Sequence, residues 1–214
     1  MKMSTSNRGI FISIEGIDGC GKSTQVKLLM DRLEKSNINS TLVREPGGTN
    51  ISEDIRSILL NNRNSMLSSR SEALLMTASR AQLTKERIIP ALENGICVIA
   101  DRYKDSTLAY QGGGRGLDMD YLIGLNDFAT YDIDPDLTFF LDIDPDLAFS
   151  RSNHNDADRI ESAGVQLQKS VRDGYREIAK RFPDRFMTID GEESISLIHS
   201  TIWENTINCI NEKN

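Results

Sequence analysis

Ile10-Phe-Ile-Ser-Ile14 and, one residue further on, Gly16-Ile-Asp-Gly-Cys-Gly-Lys22-Ser23 decide the fold of this chain. The first is a short β-branched and aromatic run that reads as a buried strand. The second satisfies G-x-x-x-x-G-K-[ST], and behind it Val26, Leu29, Met30 and Leu33 fall at i, i+3, i+4 and i+7, the apolar face of a helix. Strand, glycine-rich turn and helix in that order describe a phosphate-binding loop. The glycines let backbone N–H groups turn inward around phosphate oxygens, and the helix N-terminus adds partial positive charge. Gly16, Ile17, Asp18, Gly19, Cys20, Gly21, Lys22, Ser23 and Thr24 are therefore the expected ATP-binding segment. Lys22 is placed to reach the β- and γ-phosphates, and the Ser23 hydroxyl to ligate Mg²⁺. A glycine turn that merely mimics the pattern is the alternative, but average residue usage produces a bare match only about once in a hundred chains of this length.

Outward from the loop the same alternation repeats. Ser40 to Arg44 is a second strand, and Ile51, Ile55, Ile58 and Leu59 mark a second amphipathic helix. A helical stretch runs from about Arg70 to Glu93 and closes on Asn94-Gly95, a C-cap. Ile96-Cys-Val-Ile-Ala100 is a fully apolar strand, followed at once by Asp101-Arg102. Leu137-Thr-Phe-Phe-Leu141 is the fourth strand and Phe186 to Asp190 the fifth. Val171, Tyr175, Ile178 and Phe182 face one way on a further helix, and Ile195, Ile198 and Ile202 begin a closing one. This alternation implies an α/β fold whose parallel sheet carries helices on both faces, with strand order left open. No repeat, low-complexity tract or Pro/Gly-rich linker divides the chain, so residues 1–214 are expected to form a single domain.

Composition removes several classes of function. No apolar run approaches the eighteen or so residues that span a bilayer. Ile10 to Ile14 is too short for a signal peptide. Three widely spaced cysteines, Cys20, Cys97 and Cys209, indicate neither a disulfide framework nor a zinc site, and a reducing cytoplasm is the expected location. A net charge of −7 argues against nucleic acid or anionic lipid as a partner. With only His154 and His199, a histidine-based hydrolase or metal centre is not expected. An anionic substrate then requires locally clustered arginines.

Asp101, at the end of an apolar strand, stands where phosphate-loop enzymes hold Mg²⁺ through water. The guanine-reading motif of GTPases, Asn-Lys-x-Asp, is absent, and the chain has no room for the additional domains of a motor. A small-molecule kinase remains, or a nucleotide-binding module without turnover. Bringing a dianionic acceptor against a triphosphate is repulsive, and guanidinium forks answer that by binding phosphate oxygens bidentately.

Further segments narrow the choice. Glu45-Pro-Gly-Gly-Thr49, Asp101-Arg102-Tyr103, Ala109-Tyr-Gln-Gly-Gly-Gly-Arg-Gly116, Asp136-Leu-Thr-Phe-Phe-Leu-Asp142 and Asp158-Arg-Ile-Glu161 follow the loop in order. Together they resemble the signature segments of bacterial thymidylate kinases, P-loop nucleoside monophosphate kinases, and the likeness runs from about Ile10 to Asp190. The resemblance implies a five-stranded parallel core, a short lid at about 150–160, a homodimer, and transfer of the γ-phosphoryl of ATP to dTMP, giving dTDP and ADP. Residue by residue, it implies that Glu45, Pro46 and Gly47 shape the acceptor loop, with Asp18 near the sugar. Arg56 and Arg102 would grip the dTMP phosphate, Arg80 would reach the thymine edge, and Ser106, Tyr110 and Gln111 would line the nucleoside pocket. Lys22, Asp101, Arg102 and the lid arginines Arg151 and Arg159 would carry the catalysis. The alternative acceptor is another nucleoside monophosphate or a deoxynucleoside.

The match departs from the family in three places. Gly19 stands where the eukaryotic-type enzymes carry an arginine. The lid, Ser150 to Arg159, offers only Arg151 and Arg159 as clear basic groups, with Arg159 the first choice and His154 a solvated lid residue. Met76 stands where a phenylalanine usually stacks on thymine, so the thioether is expected to replace part of the stacking energy. Cys97 and Trp203 read as packing residues.

Overall fold

The computed structural model describes residues 8–151, 158–160, 162 and 164–213. Five strands, β1 (Phe11–Glu15), β2 (Ser40–Arg44), β3 (Cys97–Asp101), β4 (Leu137–Asp142) and β5 (Phe186–Asp190), pair in the order β2-β3-β1-β4-β5. Every pairing is parallel, with Ile14 opposite both Asp101 and Phe139. The apolar runs lie within about one residue of their sequence-based boundaries. The order places β1 at the centre, so the loop after it opens between two neighbours whose ends carry Asp101 and Asp142, at the carboxyl ends of the strands where open α/β sheets bind ligands.

The strand pleat divides the core. Cys97 and Ile99 of β3 belong to one buried cluster, with Val26, Leu29 and Leu33 of α1 (Lys22–Lys35) and Ile198 and Ile202 of the closing helix. Val98 and Ala100 face the other cluster, with Leu83, Ile88 and Leu92. Trp203 packs between helices as expected, with the Arg32 guanidinium 4.3 Å from its ring centroid.

Two helices differ from the sequence reading. The stretch from Arg70 to Glu93 is α3 (Ser69–Leu83), a π turn at Thr84–Ile88 and α4 (Ile89–Glu93), not one regular helix. Pro90 explains the break, because it lacks an N–H and its ring crowds the carbonyl one turn back. Asn94 caps α4 and Gly95 takes φ +70°, as the Asn94-Gly95 reading requires. In α2 (Asn50–Leu60) the helix is present but its inward face is Ser52 and Leu59, while Ile51 and Ile58 are exposed. Beyond β3 come α5 (Lys104–Thr107), a π segment at Leu108–Gly114 and α6 (Met119–Thr130). Following β4 is α7 (Pro145–Arg151), with α8 (Gly164–Arg181) before β5 and α9 (Ile195–Lys213) after it. The π segment meets α8 at Gly113 and Gly174, where a Cβ on Gly113 would stand 2.9 Å from the Gly174 Cα. That close approach carries Tyr175 of α8 to the ends of β1 and β3.

Candidate active site

The phosphate loop folds as its glycines dictate. Gly16 has φ +147°, and a Cβ there would meet the Cys20 sulfur at 2.7 Å and the Leu141 carbonyl at 2.9 Å. Lys22, the first residue of α1, is buried, and its Nζ donates to the Gly16 carbonyl at 3.0 Å and the Ile17 carbonyl at 2.8 Å. Ser23 and Thr24 are exposed at the helix N-terminus. The loop borders a cleft of about 910 Å³ that also takes in Asp101, Arg102, Arg56, Met76, Gln111 and Arg151.

Arg102 is the hydrogen-bonding hub of that cleft. Its backbone sits at φ +71°, a left-handed position rarely tolerated outside glycine, which turns its side chain back over the loop. The guanidinium donates to Asp18 Oδ1 at 2.6 Å, the Gly16 carbonyl at 2.8 Å and the Tyr110 hydroxyl at 3.1 Å. Longer bonds reach the Ser106 and Tyr175 hydroxyls, both at 3.3 Å. Asp18 also accepts from Tyr110 at 3.0 Å and from Gln168 Nε2 at 3.1 Å. Burial would raise the Asp18 carboxyl, but Arg102 and Lys22 outweigh it and hold it below its ordinary value. Beneath them the buried Glu15 accepts from Ser106 at 2.6 Å, Tyr175 at 2.8 Å and the Tyr103 amide at 2.7 Å. Burial, aided by Asp105, pushes the Glu15 carboxyl up.

On the acceptor side, the Glu45–Pro46 peptide is cis. The Pro46 carbonyl accepts from Arg44 at 3.0 Å and from Arg56 at 2.9 Å, so two guanidinium groups converge on the loop's tip. Burial, and then Arg44 beside it, lowers the Arg56 guanidinium from its ordinary value. Glu45 is buried with one oxygen, Oε2, bonded to Arg80 Nε at 2.7 Å, while Oε1 has no partner. Burial pushes the Glu45 carboxyl up to about 7 against the pull of Arg80, with Glu15 adding to the rise.

A family profile described as Thymidylate kinase matches residues 14–202. Proteins named thymidylate kinase are similar along almost their whole length. That of Caldanaerobacter subterraneus subsp. tengcongensis is 45% identical over 195 residues, covering 91% of this chain and 93% of the relative. That of Kosmotoga olearia is 45% identical over 202 residues, 94% of this chain and 97% of the relative. Fervidobacterium nodosum contributes one 47% identical over 193 residues, 90% and 96% of the two chains. The chain belongs to the thymidylate kinase family.

Of the positions that thymidylate kinase resemblance singled out, Asp18 to Ser23, Thr24, Glu45, Pro46, Arg56, Met76, Asp101, Arg102, Ser106, Tyr110, Gln111 and Arg151 all border this one cleft. Arg151 stands by the Gly191 carbonyl, 3.5 Å away, near the start of α9. Two arginines have partners that the sequence reading did not foresee. Arg80 borders the cleft, but its donors are spent on Glu45, Thr107 Oγ1 at 2.8 Å, Asn126 Oδ1 at 2.6 Å and the Tyr103 carbonyl at 3.0 Å. In this arrangement it anchors Glu45 from the cleft wall. Arg159 lies outside the cleft: its Nε donates to the Leu59 carbonyl at 2.7 Å and its terminal nitrogen to Glu72 Oε2 at 2.6 Å. Glu72, which Arg159 meets, is a buried carboxylate. His154 and Glu161 lie outside the described residues.

Sequence reasoning missed Glu15, Glu72, Gln168 and the polar part of Tyr175. Glu15 precedes the phosphate loop and its signal was present, a carboxylate closing an apolar strand. Tyr175 was counted as helix packing, and it does stack on Phe140 at 4.9 Å, but its hydroxyl serves Glu15 and Arg102. Among the described residues no three His, Cys, Asp or Glu side chains gather as a metal cluster, and no helix is long and apolar enough to cross a membrane.

Proposed function

We propose that this chain transfers the γ-phosphoryl group of ATP to dTMP, giving dTDP and ADP, with the cleft residues in the following roles. The observation that carries the reading is the meeting, in one cleft, of the phosphate loop with Arg102 and Arg56 on the acceptor side. Lys22 exchanges the Gly16 and Ile17 carbonyls for donor phosphate oxygens, which make stronger charge-assisted bonds. Arg102 and Arg56 neutralise the dTMP phosphate. Arg102 is already held by Asp18, Gly16 and the surrounding hydroxyls, so little reorganisation is needed as charge develops. The nucleophile is a phosphate oxygen with a second pKa of about 6, ionised at neutral pH, so no general base is required. The unpartnered Glu45 Oε1 and the Asp18 carboxylate offer acceptors to the sugar, and Met76 and Gln111 face the base. Arg151 stands at the donor end.

The Ser23 hydroxyl and Asp101 carboxylate are hard oxygen donors lining the same cleft, a set that suits Mg²⁺. When bound, the ion supplies neutralising charge at the donor phosphates. The whole chain is read as one kinase domain working in the cytoplasm, consistent with cysteines that remain unpaired. A homodimer is supported by Ile51 and Ile58 of α2, Leu74 of α3 and Phe128 of α6, exposed on helices that pack side by side.

The test is ADP release with Mg·ATP and dTMP, dUMP, dCMP, dGMP, AMP or thymidine. Strong preference for dTMP is expected, and preference for another acceptor would overturn the pocket assignment. Sedimentation of the purified protein at the mass of a monomer at micromolar concentration would remove the dimer.

A further inference from the structure

Behind the acceptor pocket, on α3, stands a buried carboxylate with no place in the phosphate chemistry. Glu72 is 1% exposed and accepts from three directions. Gln111 Nε2 donates to Oε1 at 2.9 Å, Arg159 donates to Oε2 at 2.6 Å, and Arg115 approaches Oε1 at 3.3 Å and Oε2 at 3.5 Å. Gln111 itself is 1% exposed and borders the cleft, whereas Glu72 does not.

A glutamine amide has a donor end and an acceptor end, and which end faces a ligand decides what the ligand must offer. Usually that choice is open to flipping. Here it is closed, because an ionised carboxylate only accepts, so the amide can meet Glu72 only through Nε2. Two guanidinium groups keep Glu72 ionised: burial alone would raise its carboxyl, but Gln111, Arg159 and Arg115 together hold it below its ordinary value. The amide atom left for the cleft is Oε1, an acceptor. A pyrimidine with an N3–H, as in thymine or uracil, satisfies it. Cytosine, whose N3 is a bare acceptor, sets lone pair against lone pair.

We propose that Glu72 is a specificity-positioning residue: by fixing the amide of Gln111 with its oxygen toward the cleft, it makes the pocket select bases that donate at N3. The inference rests on the reading of this cleft as the dTMP site. Glu72 touches no substrate and acts through Gln111. Glu72→Gln keeps the shape but can donate as well as accept, so the Gln111 amide is released to turn over.

The experiment compares kcat/KM for dTMP and dCMP in the wild type, Glu72→Gln, Gln111→Ala and the double variant. Glu72→Gln is expected to lower the dTMP:dCMP ratio by about tenfold or more, and the double variant to match Gln111→Ala alone. A ratio unchanged in Glu72→Gln, or effects that add in the double variant, would overturn the proposal, since a purely structural carboxylate lowers both substrates together. A wild type that does not favour dTMP would instead defeat the underlying site reading. Should Glu72→Gln fail to fold, neutron diffraction from the wild type decides the same point. Deuterons on the Gln111 atom facing Glu72 are expected; deuterons on the atom facing the cleft would overturn it.

Discussion

Arg102 and Arg80 each hold a carboxylate in the wall of the same cleft, and they do it in opposite ways. The Arg102–Asp18 pair is open, with side chains 15% and 27% exposed, and shares its donors with three hydroxyls and a carbonyl. The Arg80–Glu45 pair is sealed, at 1% and 3%. The open carboxylate stays below its ordinary value and charged, while the sealed one is pushed up to about 7 even with a guanidinium in contact. Long bonds to neutral hydroxyls can be traded for bonds to an incoming phosphate. A guanidinium whose neighbours are all buried protein acceptors cannot make that trade without stranding them. An open pair is built to work and a sealed pair to hold.

The largest effect should come from the open pair. Arg102→Met is expected to lower kcat for dTMP by about a hundredfold to a thousandfold, the usual cost of one preorganised donor at a site of developing charge. Its thermal unfolding should shift less than that of the sealed pair, because Asp18, its charged partner, and Ser106 are part-exposed and line the cleft. Next comes the sealed pair. Arg80→Met strands Asn126, Thr107 and the Tyr103 carbonyl and leaves Glu45 buried without a cation, a loss of roughly 3 kcal/mol or more. Differential scanning calorimetry should show Tm lower by something like 10 °C. If Arg102→Met instead lost stability and kept kcat, the contrast between the two pairs would be wrong.

The sealed carboxylate also makes a prediction about pH. The Glu45 carboxyl rises from 4.5 to about 7 on folding, so between those values the folded chain holds a proton that the unfolded chain has released. Stability from this group is therefore fully present below pH 4.5, falls as pH rises toward 7, and is level above that. The fall is of the order of 3 kcal/mol. Glu45→Gln mimics the protonated form, so the difference between wild-type and variant denaturation midpoints should grow steadily across that window and then stop. A difference that stays constant from pH 4.5 to 7 would mean that Arg80 keeps Glu45 ionised throughout. Because Glu15 also titrates upward, only the difference between the two profiles isolates Glu45.

The two pairs also mark how far the sequence could be read. The cleft position of Arg102 is implied by the family resemblance, whereas the phosphate loop and all five strands follow from local pattern, because a G-x-x-x-x-G-K-S turn between strand and helix constrains its own backbone. Arg80 and Arg159 do not, because what an arginine does depends on which carboxylate the fold brings against it. Glu45 and Glu72 are 35 and 87 residues away from those two partners. The inward face of α2 was misread for a related reason. Its apolar positions Ile51 and Ile58 point away from the core, and periodicity locates an apolar face without saying what covers it.

Met76 offers the finest test, since it stands one helical turn before Arg80 on the same face of α3 and borders the cleft where a base would lie. Stacking of an aromatic ring on a base is worth about 1–3 kcal/mol relative to alanine, and a polarizable thioether recovers part of it. Met76→Phe should therefore lower KM for dTMP, by no more than about tenfold. Stacking is present equally in the bound substrate and at the transition state, so kcat should not move, the signature of uniform binding. The same substitution should leave the dTMP:dCMP ratio almost unchanged, because a ring face does not distinguish donors from acceptors. Met76 already packs against the core from the cleft wall, so an unchanged or raised KM would mean that position 76 does not stack on the base.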